Sequence, residues 1–211
     1  SLFVRGEGDK RVYVLVYVDD MLVVGASKSE VDSVKEELKA TFQITESDVV
    51  GTFIGVHVEQ DRTTGTVRLS QKRYAEEVLE RFAMSDAKPR DVPIGTGAVL
   101  KKDGDATQKP YAALVGSLMY LAVCTRPDLM QAVGVLSRYM QAPTEAHWSV
   151  AKGVMRYLKG TVSVGLEYRA GGGGLSGYCD ADYAGDVDTR RSTSGFVFSL
   201  NGGAVSWGSK R

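Results

Sequence analysis

The stretch VYVLVYVDDMLVVG, Val12 to Gly25, sets two adjacent carboxylates, Asp19 and Asp20, between two of the most apolar runs in the chain. β-Branched residues dominate both runs, so each reads as a strand and the aspartate pair as the tip of a hairpin. Aspartate is a common turn residue, but the favoured two-residue hairpin turns are Asn-Gly and Asp-Gly, and Asp-Asp suits them less well. Adjacent like charges repel, and burying either one unpaired is costly. Two readings stand on these residues: a solvated turn, and a site for a divalent cation that prefers hard carboxylate oxygens.

Around this stretch the chain is ordinary. It has 211 residues, 43% hydrophobic and 25% charged, enough for one large domain or two small ones with real cores. No run approaches the ~20 apolar residues of a membrane helix, so no membrane partner is expected. No basic-then-apolar leader opens the chain. Cys124 and Cys179 lack CxxC spacing and read as reduced core residues of an intracellular protein. The two histidines lie far apart and make no zinc site. A net charge of zero hides an asymmetry: residues 1–60 carry six basic against eleven acidic side chains, and residues 101–160 carry eight against four. Such a balance suits a metal site beside a polyanion track, and equally two halves that attract each other.

Spacing predicts an α+β chain. Leu2–Val4, Arg11–Tyr17 and Met21–Ala26 read as strands, and the Val12–Val24 pair as buried on both sides. A helix follows over 29–42, capped by Ser27 or Ser29. Phe53–Glu59 and Thr66–Ser70 read as a second hairpin around DRTTG, and 71–82 as a helix. Residues 85–110, with Pro89, Pro93 and Pro110, predict a linker or long loop. Helices are expected over Tyr111–Val123, Pro127–Met140 and Thr144–Leu158, with Pro127 in a first turn and Thr144 as a cap. His147 and Trp148 are expected to pack locally. VSVGLEY reads as a strand, Gly171–Gly174 as a flexible spacer, and 175–181, 196–200 and 204–207 as short strands.

In this order the segments resemble a known family. YVDD between apolar strands resembles the active-site hairpin of reverse transcriptases, and FIGVHV resembles their primer-grip region. YAALVGSLMYLAVCTRPDLMQAVGVLSRYMQAPTEAHWSVAKGVMRYLKGT resembles the segment that follows in copia-type LTR retrotransposon polyproteins. GYCDADYAGDVDTRRSTSGFVFSLNGGAVSWGSKR resembles the start of their RNase H domain, with Tyr183 where many relatives carry tryptophan. The resemblance implies the C-terminal half of a palm over 1–70 and a thumb-like helical region over 71–162, with an internal linker at 85–110. A connecting strand and spacer would occupy 163–174, and a partial RNase H-like domain 175–211.

The resemblance also implies roles. Asp19 would be a principal metal ligand and Asp20 its acidic neighbour, with Mg²⁺ as cofactor and Mn²⁺ as the alternative. Tyr17 and Val18 would pack below the primer terminus and nucleotide, although strand core also explains them. Phe53, Ile54 and Gly55 would belong to the primer-grip strand. A glycine inside that strand would mark either a close backbone approach or a bulge. Lys152, Arg156 and Lys159 would touch nucleic-acid phosphates, against the plainer reading of a solvated helix face. Asp180 would be the first RNase H carboxylate, whereas Asp182 and Asp186 match no further ligand. The expected partners are an RNA template, a DNA primer, dNTP and the remainder of a polyprotein, in cytoplasmic particles. The third palm aspartate and the remaining RNase H carboxylates have no counterpart in these residues, so the chain alone is expected to be inactive. A non-catalytic remnant that binds nucleic acid or protein is the second reading.

Overall fold

The computed structural model describes residues 1–47, 51–95 and 100–211. Its class is α+β, with antiparallel strand pairings. The chain divides into two compact units, Ser1–Glu59 and Gln60–Arg211.

The first unit opens with a meander of β1 (Leu2–Arg5), β2 (Val12–Tyr17) and β3 (Asp20–Gly25). The register sets Arg5, Val12 and Gly25 side by side on one face. Helix α1 (Lys28–Thr41) covers that face. The Ser27 hydroxyl accepts the Glu30 N–H at 3.4 Å, capping the helix. Arg5 reaches Glu37 at 2.7 Å. Gly25 permits the approach, since a Cβ there would stand 3.0 Å from Val31 Cγ2. The other face is open. Leu2, Val4, Tyr13 and Val24 are exposed, which corrects the expectation of strands buried on both sides: one helix covers one face.

Strands β4 (Thr52–Phe53) and β5 (Val56–Asp61) form a tight hairpin. The single strand expected from Phe53 is therefore broken at Ile54–Gly55. Gly55 lies between the two strands and not within one, so it marks no bulge. It is a turn residue.

The second unit continues with β6 (Thr66–Ser70), α2 (Lys72–Arg81), α3 (Tyr111–Cys124), a 3-10 turn at Pro127–Leu129, and α4 (Met130–Ser137). After these come α5 (Glu145–Gly160), β7 (Leu166–Arg169), β8 (Ser176–Ala181), β9 (Ser194–Leu200) and β10 (Gly203–Lys210). Helix α3 is apolar almost all round, as a central helix must be. Its Leu114, Leu118 and Leu121 join Leu136 of α4 and Val154 and Leu158 of α5 in the core. The helix expected over 127–140 is shorter, because Pro127 opens a 3-10 turn and the Ser137 hydroxyl bonds back to the Gly134 carbonyl at 2.8 Å.

The stretch expected to be a linker is strapped down where it is described; residues 96–99 lie outside the described residues. Arg156 Nε donates to the Lys88 carbonyl at 2.6 Å, and Tyr139 Oη to the Leu100 carbonyl at 3.0 Å. The Thr107 and Glu145 amides pair this strap with the start of α5. The glycine run is not a free spacer either. The Gly172 amide donates to the Arg169 carbonyl at 2.9 Å and the Asn201 amide to the Gly173 carbonyl at 3.1 Å.

Strands β8, β9 and β10 form one sheet, anchored by Trp207 Nε1 donating to the Ala122 carbonyl of α3 at 2.8 Å. On its other face Phe198 lies across Gly177, where a Cβ would come within 2.5 Å of the ring, and Phe196 across Gly208 at 2.9 Å. Among the described residues no helix is long and apolar enough to cross a membrane.

Candidate functional site

The hairpin tip between β2 and β3 is built from four residues. Tyr17 and Asp20 form the last register pair, and Val18 and Asp19 make the two-residue turn. Val18 has φ +55° and is 84% exposed. Positive φ at the first turn position is the type II′ pattern, a place that favours glycine. A β-branched residue there is a genuine backbone outlier, and such strain costs of order 1–3 kcal/mol. Val18 gains no burial in return. The strained turn lifts Asp19 and Asp20 into solvent, and among the described residues no cation or N–H engages either carboxylate.

Two exposed carboxylates on one tip fit the chemistry of Mg²⁺, which commonly takes one or two from protein and further oxygens from phosphates. Asp19 and Asp20 are the residues that would hold it. No group of three acidic, cysteine or histidine side chains suited to a metal occurs among the described residues.

The β4–β5 tip repeats the strain. Ile54 has φ +45° and Gly55 φ +75°, the type I′ pattern. Glycine belongs at the second position, but isoleucine stands where Asn, Asp or Gly is preferred. Phe53 is buried and Ile54 is exposed at the tip.

On α5, Lys152 is exposed, while Arg156 and Lys159 are half-buried. Arg156 is committed to the Lys88 carbonyl, so it organises the strap before it can meet anything else.

Asp180 sits on β8 opposite Gly195. It shares a face with Tyr178, and both line an open groove of about 410 Å³ whose walls include Met130, Phe196 and Trp207. Its acidic neighbours do other work. Asp182 accepts the Thr193 and Gly185 amides at 2.9 and 3.2 Å. The Thr193 N–H leads in holding its carboxyl below the usual range. Asp186 is buried and accepts from Arg138 at 3.1 Å, Arg211 at 2.5 Å, and the Thr189 amide and hydroxyl at 2.8 Å. Burial pushes its carboxyl up, but Thr189 and Arg211 outweigh that and hold it well below the usual range. Asp182 and Asp186 therefore shape a loop; Asp180 and Asp182 both line the groove, and of these two Asp180 carries no such loop contact among the described residues.

Of two further buried polar clusters, the one at Arg126 escaped the sequence reading, while the one at His147 is the local packing expected beside the Thr144 cap. Arg126, 2% exposed, forks onto Asp128 at 2.7 and 2.9 Å and onto the Thr161 carbonyl at 2.9 Å. Its i, i+2 acid is the only signal the sequence offers. His147 is fully buried, stacked 3.9 Å from Tyr139, and its Nδ1 accepts the Thr144 amide at 2.8 Å. Burial pushes the imidazole below its usual pKa. Cys179, expected in a core, is exposed on β8.

Comparison with known proteins gives a consistent set of likenesses. The profile of the reverse transcriptase (RNA-dependent DNA polymerase) family matches residues 1–96. The chain is 40% identical over 217 residues to the retrovirus-related Pol polyprotein from transposon TNT 1-94 of Nicotiana tabacum, covering 99% of this chain and 16% of that protein. It is 40% identical to the corresponding polyprotein from transposon RE2 of Arabidopsis thaliana, over 100% of this chain and 15% of that one. An uncharacterised mitochondrial protein of Arabidopsis thaliana is 34% identical, with 95% of this chain and 83% of that protein covered. No solved structure matches.

Proposed function

The chain belongs to the reverse-transcriptase family of copia-type LTR retrotransposon polyproteins, and we propose that its β2–β3 tip is the metal-binding end of an RNA-directed DNA polymerase. The observation that carries this reading is Val18: a β-branched residue held at φ +55° in full solvent, beside two carboxylates. Strain kept where it buries nothing marks a backbone selected for where it points its neighbours.

In this reading Asp19 and Asp20 would hold a Mg²⁺ ion at the tip. Tyr17 and Val18 form the surface beneath the primer terminus, and the Ile54–Gly55 tip touches the primer backbone. Bound there, Mg²⁺ would neutralise the carboxylates and nucleotide phosphates and activate the primer hydroxyl. Helices α3 to α5 are the thumb-like part, with Lys152 and Lys159 offered to phosphates. The β8–β10 sheet is the start of an RNase H-like domain, and Asp180 is its first carboxylate. Clamping both oxygens of a phosphoryl transfer needs more ligands than Asp19 and Asp20 supply. Catalysis therefore requires a further carboxylate from elsewhere in a polyprotein, and this chain alone is inactive.

The test is primer extension on an RNA template with Mg²⁺, using the chain within a polyprotein-length enzyme. Asp19→Asn should lower extension by more than the roughly 100-fold typical of losing a group that only supports a metal ligand. Full extension by Asp19→Asn would overturn the reading. The lack of a three-ligand group among the described residues favours a second one, a non-catalytic binding module. That alternative predicts nucleic-acid binding unchanged by Asp19→Asn and Asp20→Asn, with no extension in any context.

A further inference from the structure

The mouth of the β8–β9 hairpin is held from outside its sheet. Beyond the last register pair, Ala181 with Ser194, the Asp182 amide donates to the Thr193 carbonyl at 3.0 Å, and the Asp182 carboxylate accepts the Thr193 amide at 2.9 Å. That rung closes the strand end just after Asp180. The loop past it carries two non-glycine residues at positive φ, Ala184 at +53° and Arg190 at +56°. Such strain persists only where surrounding contacts over-determine it. Here the contacts converge on one side chain of a helix. Arg138, at the C-terminal cap of α4, donates through one guanidinium nitrogen to Asp186 at 3.1 Å and through the other to the Thr193 hydroxyl at 2.9 Å. The planar fork grips loop and rung at once.

We propose that Arg138 is a positioning residue for hydrolysis of the RNA strand of an RNA–DNA hybrid: from the thumb-like helices it fixes the end of β8, and with it the direction of Asp180. This rests on the reading of Asp180 as the first RNase H carboxylate. Asp180 needs such help. It lies opposite Gly195, so no side chain across the ladder braces it, and among the described residues no hydrogen bond holds its carboxylate. A Cβ at Gly195 would meet nothing nearer than the Gly208 carbonyl at 3.7 Å. The aim of Asp180 is therefore inherited from its backbone, and a reacting constellation must be held to within about 0.5 Å. Arg138 touches neither Asp180 nor the groove; it acts through Thr193 and the Asp182 rung. An RNase H-like sheet cut away from α4 would keep Asp180 and lose the group that aims it.

The test is steady-state hybrid hydrolysis by the polyprotein-length enzyme, paired with hydrogen exchange measured without metal. Arg138→Gln should lower kcat by about 10- to 100-fold, the scale of a small misplacement of a reacting group, and leave KM within about twofold. Thr193→Val removes one arm of the fork and no charge. It should lower kcat in the same direction by a smaller factor, and it decides the matter if Arg138→Gln does not fold. In both variants the amides of residues 182–193 should exchange faster while those of α3 and α5 stay protected. Asp180→Asn should abolish hydrolysis without changing exchange in the loop. Wild-type kcat in folded Arg138→Gln and Thr193→Val, beside an inactive Asp180→Asn, overturns the proposal and leaves the RNase H reading standing. An active Asp180→Asn overturns both. A raised KM at unchanged kcat, or lost protection across α3 and α5 in Thr193→Val, also overturns it, in favour of a binding or a purely structural role.

Discussion

Arg138, at the C-terminal cap of α4, and Asp186 of the loop between β8 and β9 meet at 3.1 Å, with the Asp186 carboxylate 2% exposed and Arg211 also closing on it. The pair ties the helical core to the terminal sheet through one buried charge.

Asp186→Asn should therefore destabilise the second unit. Breaking a buried pair leaves the partner charges uncompensated, at a cost of about 3 kcal/mol or more. The folded-state pKa of Asp186 lies below its unfolded value, so its contribution is present above about pH 4 and is lost as pH falls further. Thermal melts from neutral to acid pH should show that loss in the wild type and a flatter profile in Asp186→Asn.

His147 predicts a second, separate window. Its imidazole is held neutral in the fold, with Nδ1 accepting the Thr144 amide. The unfolded chain therefore binds the extra proton first, and stability falls as pH drops below about 6.5. His147→Gln should lower the melting temperature at pH 7.5 but remove most of the change between 7.5 and 5.5. An equal slope in both proteins would refute the assignment.

Ile54→Asn should stabilise the first unit. It converts Ile54–Gly55 into Asn-Gly, the sequence that the positive φ of both residues favours. A gain of about 1 kcal/mol is expected in denaturant melts. Val18→Gly should relax the other tip in the same way, and in a polymerase context it should cost activity.

Arg126→Lys should not be tolerated as a conservative change. Lysine cannot fork onto Asp128 while also reaching Thr161, as the guanidinium does. A loss of about 2 kcal/mol is expected, because a buried ammonium at position 126 would keep fewer of the partners that satisfy the guanidinium.

Much of this was legible along the chain. The apolar spacing gave α1, α2, α3 and α5 to within a residue or two, and Thr144 was readable as the cap of α5. The Asp19–Asp20 tip could be found because its turn residues are wrong for a turn. The Ile54–Gly55 tip was hidden for the matching reason: isoleucine inside TFIGVHV reads as more strand. The strap over α5 was not legible, since Arg156 grips a backbone carbonyl that every residue has. Nor was the Arg138–Asp186–Arg211 cluster, whose members lie 48 and 25 residues apart. Cys179 misled because an edge strand and a core strand share one composition.

The rings laid over Gly177 and Gly208 reach beyond this one molecule. A methyl group at Gly177 would lift Phe198, and a smaller side chain at 198 would bare the backbone that the ring roofs. Neither position can drift alone. Each phenylalanine and its glycine form a single heritable unit, and lineages of this element should exchange the two together or keep both.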